Sequence, residues 1–94
     1  MNTDKDFLVL LGKSIIANRK KLGLSQAALA NLIGMDKQNL YVIEKGNSNP
    51  QLLTLLKICC GLKISLHELF DFKFNYEQFL LSKQKHIPRK QKPQ

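Results

Sequence analysis

Two short helices and a tight turn are written into the stretch Ser25 to Glu44, SQAALANLIGMDKQNLYVIE, and no other part of the chain is as restrictive. Ser25 is a good N-cap, because its hydroxyl accepts a bond from a backbone N–H that the first helical turn leaves unpaired. Leu29, Ala30 and Ile33 then recur at the spacing of one helical face. Gly34 follows, where helices commonly end because Gly tolerates positive φ. Asp36 offers a second N-cap, and Leu40 and Ile43 place a new apolar face one turn later. Lys37, Gln38, Tyr41 and Val42 fall on the opposite side. The two helices therefore share a small core and turn a mixed polar face outward.

Such a pair is a helix-turn-helix, and the second helix of that unit enters the DNA major groove. The outward positions suit the task. Lys37 and Gln38, near the helix start, point into a groove: Lys donates to guanine O6 and N7, and Gln pairs with adenine N6 and N7. Val42 or the edge of Tyr41 can meet a thymine methyl. Asn39 at the rim and Lys45 at the end are placed for the phosphate backbone. Gln26, at the first position of the earlier helix, can meet another phosphate together with nearby backbone N–H groups. Asn47, in the turn Asn47-Ser48-Asn49-Pro50, is placed for the next. The competing reading of this face is a solvated polar surface on a protein-binding domain.

The flanking sequence supplies the rest of a small core. Met1 to Asp6 are polar and expected to fray. A first helix is expected from about Phe7 to Leu22, with Leu8, Leu11, Ile15 and Leu22 on one face and Arg19 on the same inward stripe. Helix four, near Gln51 to Leu62, is expected to bury Leu52, Leu55, Leu56, Cys59 and Leu62. Ser65-Leu66-His67-Glu68 is a capping box that opens a fifth helix ending near Phe70. Phe70, Phe72, Phe74 and Tyr76 then alternate with polar residues. Alternation at period two predicts a short strand. Such a strand needs a partner, supplied by a second copy, unless the aromatic stretch packs on its own domain. Glu77 to Lys85 suit a helical turn or two, and the segment after them, with Pro88 and Pro93, reads as a disordered basic tail.

Charge supports this division. The chain of 94 residues carries +8 at pH 7. Met1 to Phe72 hold nine Lys or Arg against six acids, and the remainder holds six against one. The expected organisation is a DNA-binding domain over residues 1–72 with an extension and tail over 73–94. Phe7 to Leu11 is too short an apolar run to cross a bilayer, so the cytoplasm is the expected compartment. The adjacent Cys59 and Cys60 lack metal-ligand spacing, with one expected in the core and one at the surface. No paired carboxylates, nucleophile motif or Gly-rich phosphate loop is present, so neither catalysis, a metal nor a cofactor is expected.

Arg19, Leu24-Ser25-Gln26, Leu29-Ala30, Gly34, Leu40, Ile43-Glu44-Lys45-Gly46, Asn49-Pro50, Leu55-Leu56, Leu62 and Ser65-Leu66-x-Glu68-Leu69-Phe70 together resemble the helix-turn-helix transcriptional regulators of the phage repressor and Cro type, also called the xenobiotic-response-element type. The similarity spans roughly residues 7 to 70. It implies an all-α, five-helix, lambda-repressor-like domain, and it supplies Glu44 as the partner that a buried Arg19 needs. Leu32, Leu53 and Cys60 stand where the family usually has polar residues. Lys63 stands where it usually has a helix-capping Gly, a substitution tolerated if the local φ is not strongly positive.

The function implied is a sequence-specific DNA-binding regulator, a repressor, acting on a double-stranded operator. One recognition helix reads too few base pairs to find a site, so a homodimer is expected, with Leu53, Phe72, Phe74 and Tyr76 as the contact. Two alternatives share the minimal size: an antitoxin that autoregulates its operon and binds a toxin, and a controller of a restriction-modification operon.

Overall fold

The computed structural model describes residues 3–84. Six helices follow in order: α1 (Thr3–Lys21), α2 (Gln26–Leu32), α3 (Lys37–Glu44), α4 (Leu52–Leu62), α5 (Leu66–Leu69) and α6 (Tyr76–Lys83). Side chains that begin the helices do so by the expected chemistry. Ser25 Oγ accepts from the Ala28 N–H at 3.0 Å, and Asp36 Oδ1 from the Gln38 N–H at 2.9 Å. Ser65 and Glu68 satisfy each other's backbone N–H groups in a complete capping box.

The core is one cluster drawn from five helices: Leu11 and Ile15 of α1, Leu29 and Ala30 of α2, Leu40 and Ile43 of α3, Leu55, Ile58, Cys59 and Leu62 of α4, and Leu69 of α5. Cys59 is buried and Cys60 exposed. Burial pushes the Cys59 thiol above its ordinary pKa, and Cys60 and Glu68 add to the effect, so this side chain behaves as a small apolar one.

Two close approaches set the helix geometry. A Cβ on Gly12 would lie 2.2 Å from the Glu44 carbonyl oxygen, so α1 crosses the C-terminal end of α3 with no room for a side chain. A Cβ on Gly61 would lie 2.5 Å from Ile33 Cγ2 and 2.9 Å from Leu29 Cδ1, so α4 packs tightly against side chains at and near the end of α2.

The structure departs from the sequence expectations at five places. Helix α1 starts at Thr3 and does not fray there, because α6 packs along its first turns: Thr3 Oγ1 and Ser82 Oγ are 3.0 Å apart, and Lys83 pairs with Asp4 at 2.8 Å. Leu22 is exposed, since the helix ends at Lys21 and the helical period no longer governs it. On α4, Leu52 and Leu56 are 66% and 45% exposed, and Ile58 takes the buried place. The helix reads LLTLLKICCGL, apolar nearly all round, so periodicity alone does not select its inward face.

The fourth departure concerns residues 70–75. No strand occurs among the described residues, and this segment runs as a loop into α6, which forms where a helical turn or two was expected and makes a sixth helix beyond the five of the expected domain. The alternation encodes an extended backbone that gathers rings without a ladder. Phe70, Phe72 and Phe74 converge on Phe7, with centroids 5.9, 5.7 and 5.0 Å from its ring. The aromatic stretch thus packs on its own domain. Asn75 then caps α6 by accepting from the Gln78 N–H at 2.8 Å.

Lys63 is the last. It adopts φ 61°, ψ 40°, the left-handed conformation. Its N–H bonds to Cys60 O, and the Ile64 N–H to Cys59 O, which is the Schellman pattern usually completed by Gly. The strongly positive φ means that the Lys is accommodated at a conformational cost.

Candidate nucleic-acid interface

Helix α3 divides cleanly into a back and a front. Leu40, Ile43 and Glu44 are buried, whereas Lys37, Gln38, Asn39, Tyr41 and Lys45 are exposed and Val42 is half-buried. The front therefore presents donors, an amide and an aromatic edge on one short cylinder, with no acidic side chain among them. Lys45 Nζ lies 5.8 Å from the centre of the Tyr41 ring, so the cation and the ring share one flank of that face.

The back holds the helix in place through a hydrogen-bonded ion pair. Arg19 Nε donates to Glu44 Oε2 at 2.8 Å and Arg19 Nη2 to Glu44 Oε1 at 3.0 Å, a two-point fork. The side chains are 11% and 1% exposed. Arg19 Nη1 also donates to the Leu24 carbonyl at 2.9 Å, which fixes the turn before α2. One guanidinium thus ties together the end of α1, the entry to α2 and the end of α3.

Gln26 joins the same cluster. Its Nε2 donates to Glu44 Oε1 at 2.7 Å. The amide expected at a phosphate is therefore also the third donor to the buried carboxylate, and its nitrogen carries a second N–H. That bond orients Gln26 at the first turn of α2.

The turn after α3 is similarly anchored. Lys5 Nζ donates to the Gly46 carbonyl at 2.8 Å and to Asn47 Oδ1, so the expected phosphate-contacting Asn47 is held by α1. Lys5 was not singled out in the sequence, because it lies in the segment expected to fray. Gly12 gave no sign either, since a Gly inside a helix does not reveal what approaches it.

Of the residues expected at a protein interface, Leu53 and Tyr76 are exposed, at 74% and 69%. Phe72 and Phe74 are half-buried in the aromatic cluster on Phe7. The tail after Gln84 lies outside the described residues. Among the described residues no group of His, Cys, Asp and Glu is arranged to hold a metal ion, and no helix is long and apolar enough to cross a membrane.

Comparison with known proteins agrees with this geometry. Residues 15–69 match the helix-turn-helix family HTH_3. An uncharacterized HTH-type transcriptional regulator of Haemophilus influenzae is 42% identical over 59 residues, 63% of this chain and 60% of that protein. The chain thus spans somewhat less than two thirds of that relative's length. The control protein C.MunI of a Mycoplasma species is 39% identical over 67 residues, 70% of this chain and 90% of that one. Among solved structures, the restriction-modification controller protein C.AhdI of Aeromonas hydrophila superposes with a TM-score of 0.65 at 38% identity, covering 67% of this chain and 96% of that one. The chain belongs to the HTH_3 helix-turn-helix family, the phage repressor and Cro type of transcriptional regulator.

Proposed function

We propose that this protein is a sequence-specific DNA-binding regulator that inserts α3 into the major groove and represses transcription from a double-stranded operator. The observation that carries the reading is the front of α3: exposed Lys37, Gln38, Tyr41 and Lys45 on a helix whose back is locked by Arg19 and Glu44. Lys37, Gln38, Tyr41 and Val42 read base edges, and Gln26, Asn39, Lys45 and Asn47 hold phosphates. The DNA-binding unit is residues 1–72 and the extension 73–94, and the protein works in the cytoplasm as a homodimer. No catalytic role is part of the proposal.

A second reading narrows the first. Two relatives whose names describe control proteins match over 90% and 96% of their own lengths. That favours a controller of a restriction-modification operon, and a gene placed beside those of a DNA methyltransferase and an endonuclease would support it. A second polypeptide co-purifying from the native operon would point to an antitoxin and its toxin instead.

The test separates readout from positioning on sites selected from a random DNA pool. Gln38→Ala is expected to cost about 1–3 kcal/mol on the selected site and to relax preference at one base pair. Lys45→Ala is expected to weaken all sequences alike and to flatten the salt dependence by a slope of about 0.9. Equal losses on selected and random DNA for both variants would remove α3 from the reading role.

A further inference from the structure

Two elements build the turn that follows α3. From α3 itself come the bonds of a Schellman end: the Gly46 N–H reaches Ile43 O at 3.0 Å, the Asn47 N–H reaches Val42 O at 2.9 Å, and Gly46 takes φ 76°. The second element is α1. A Cβ on Gly46 would lie 2.8 Å from Val9 Cα, so the α1 backbone runs against the turn. Lys5, one helical turn before Val9, places its ammonium on the Gly46 carbonyl at 2.8 Å and on Asn47 Oδ1. Residues four apart share a helical face, so a single stripe of α1 makes both approaches.

Only the first of the two Lys5 bonds belongs to the frame of the fold. A cation at the Gly46 carbonyl satisfies the C-terminal end of α3 and offsets its dipole. The bond to Asn47 is of another kind. Asn47 is exposed, and an exposed hydrogen bond replaces one to water with little gain in stability. Its effect is to choose an orientation. An ammonium has donors only, so the amide oxygen faces Lys5, and Nδ2 with its two N–H groups is the end that can meet an acceptor. Phosphate oxygens are acceptors. The acid that lines the same cleft as Lys5 and Asn47 is Asp4, and its charge is answered by Lys83 of α6 at 2.8 Å.

We infer that Lys5 is a positioning residue for DNA binding, holding the Asn47 amide with its N–H groups set for a phosphate before DNA arrives. The inference rests on the DNA-binding role proposed above and on the phosphate contact proposed there for Asn47. An exposed Asn samples several rotamers, and a contact formed only on binding bears the cost of fixing one of them. Here that cost falls on the free protein. The first turn of α1, which carries Lys5, is itself held by α6 through Thr3 with Ser82 and Asp4 with Lys83. A phosphate carries no base identity, so Lys5 acts on the affinity for every duplex alike.

The test compares full-length wild type, Lys5→Met, Asn47→Ala and the double variant. Each is titrated with selected and random duplexes well below the lowest melting temperature, where circular dichroism shows all of them folded. Asn47→Ala is expected to weaken both duplexes by roughly tenfold, the effect of one hydrogen bond to a charged group. Lys5→Met is expected to weaken both by about three- to tenfold, the effect of leaving one side chain to be ordered on binding. The double variant should lose no more than about twofold beyond Asn47→Ala, since residues acting through one contact are not additive. A merely structural role would move the melting temperature and leave affinity among folded proteins in place, so Lys5→Met that binds like wild type overturns the inference. Losses that multiply in the double variant overturn it too, and would show Lys5 meeting the phosphate by itself. A Lys5→Met loss confined to the selected duplex overturns it by placing the effect on base reading. Failure of the roles beneath it shows separately, as wild type that binds no selected duplex or Asn47→Ala that binds like wild type, and either result overturns the inference with them.

Discussion

Replacing Glu44 by Ala tests whether the Arg19 cluster is the hinge-pin of the fold. The substitution removes the acceptor for two guanidinium N–H groups and for the Gln26 amide. Arg19 would keep only the Leu24 carbonyl, 2.9 Å from Nη1, in a site where its side chain is 11% exposed. Leaving one partner of a buried pair without its counterion costs about 3–5 kcal/mol. For a domain this size each kcal/mol lowers the melting temperature by about 4–8 °C, so a fall of roughly 12–40 °C is expected. Arg19→Met is expected to cost somewhat less, because the carboxylate it strands still accepts from Gln26. The double variant Arg19→Met, Glu44→Leu removes both charges and should recover much of the loss, since apolar residues of similar volume are often neutral replacements for a buried pair. Urea unfolding of the four proteins gives the coupling energy directly. Single losses below about 1 kcal/mol that simply add would mean that water reaches both charges, and the argument from burial would fail.

The remaining expectations concern backbone geometry. Gly12→Ala should lower stability by about 1–3 kcal/mol through overpacking against the Glu44 carbonyl. The sign is the check, because Ala in an unobstructed helix interior would instead stabilise by about 1 kcal/mol. Lys63→Gly should raise stability by about 0.5–1 kcal/mol, the left-handed strain removed being partly offset by the greater chain entropy of Gly in the unfolded state. A loss on thermal unfolding would show that the Lys side chain makes a contact worth more than that strain.

Local rules were legible where one residue carries the signal. Ser25, Asp36 and Ser65 cap the helices they were expected to cap, because an N-cap needs only its own neighbours. Arg19 stood out because a charge on an inward stripe demands a partner. Where the answer depended on what lies opposite, it was hidden. The inward face of α4 follows from the approach of Gly61 to Ile33 and Leu29, and an all-apolar helix does not announce it. The alternating rings of Phe70, Phe72 and Phe74 are the same pattern whether a neighbouring strand or Phe7 receives them. The second donor role of Gln26 was hidden for the same reason, since its surroundings arise only when α2 and α3 meet.

These features explain how so short a helix can be rigid enough for the base-reading role proposed for it. An eight-residue helix has little stability of its own, and a reader displaced by an ångström loses its paired hydrogen bonds to a base. All of the fastening is applied to the back and ends of α3. Asp36 caps its start, Leu40 and Ile43 bury its spine, Glu44 is held by Arg19 and Gln26, and Gly46 is bonded by Lys5. Gly12 lets the α1 backbone lie against the last carbonyls, so the C-terminal end is fixed by backbone as well as by charge. The side chains of Lys37, Gln38 and Tyr41 take no part in these fastenings. Their identities can therefore change with the operator while the frame stays the same, which is the arrangement a regulator needs if its specificity is to vary without refolding it.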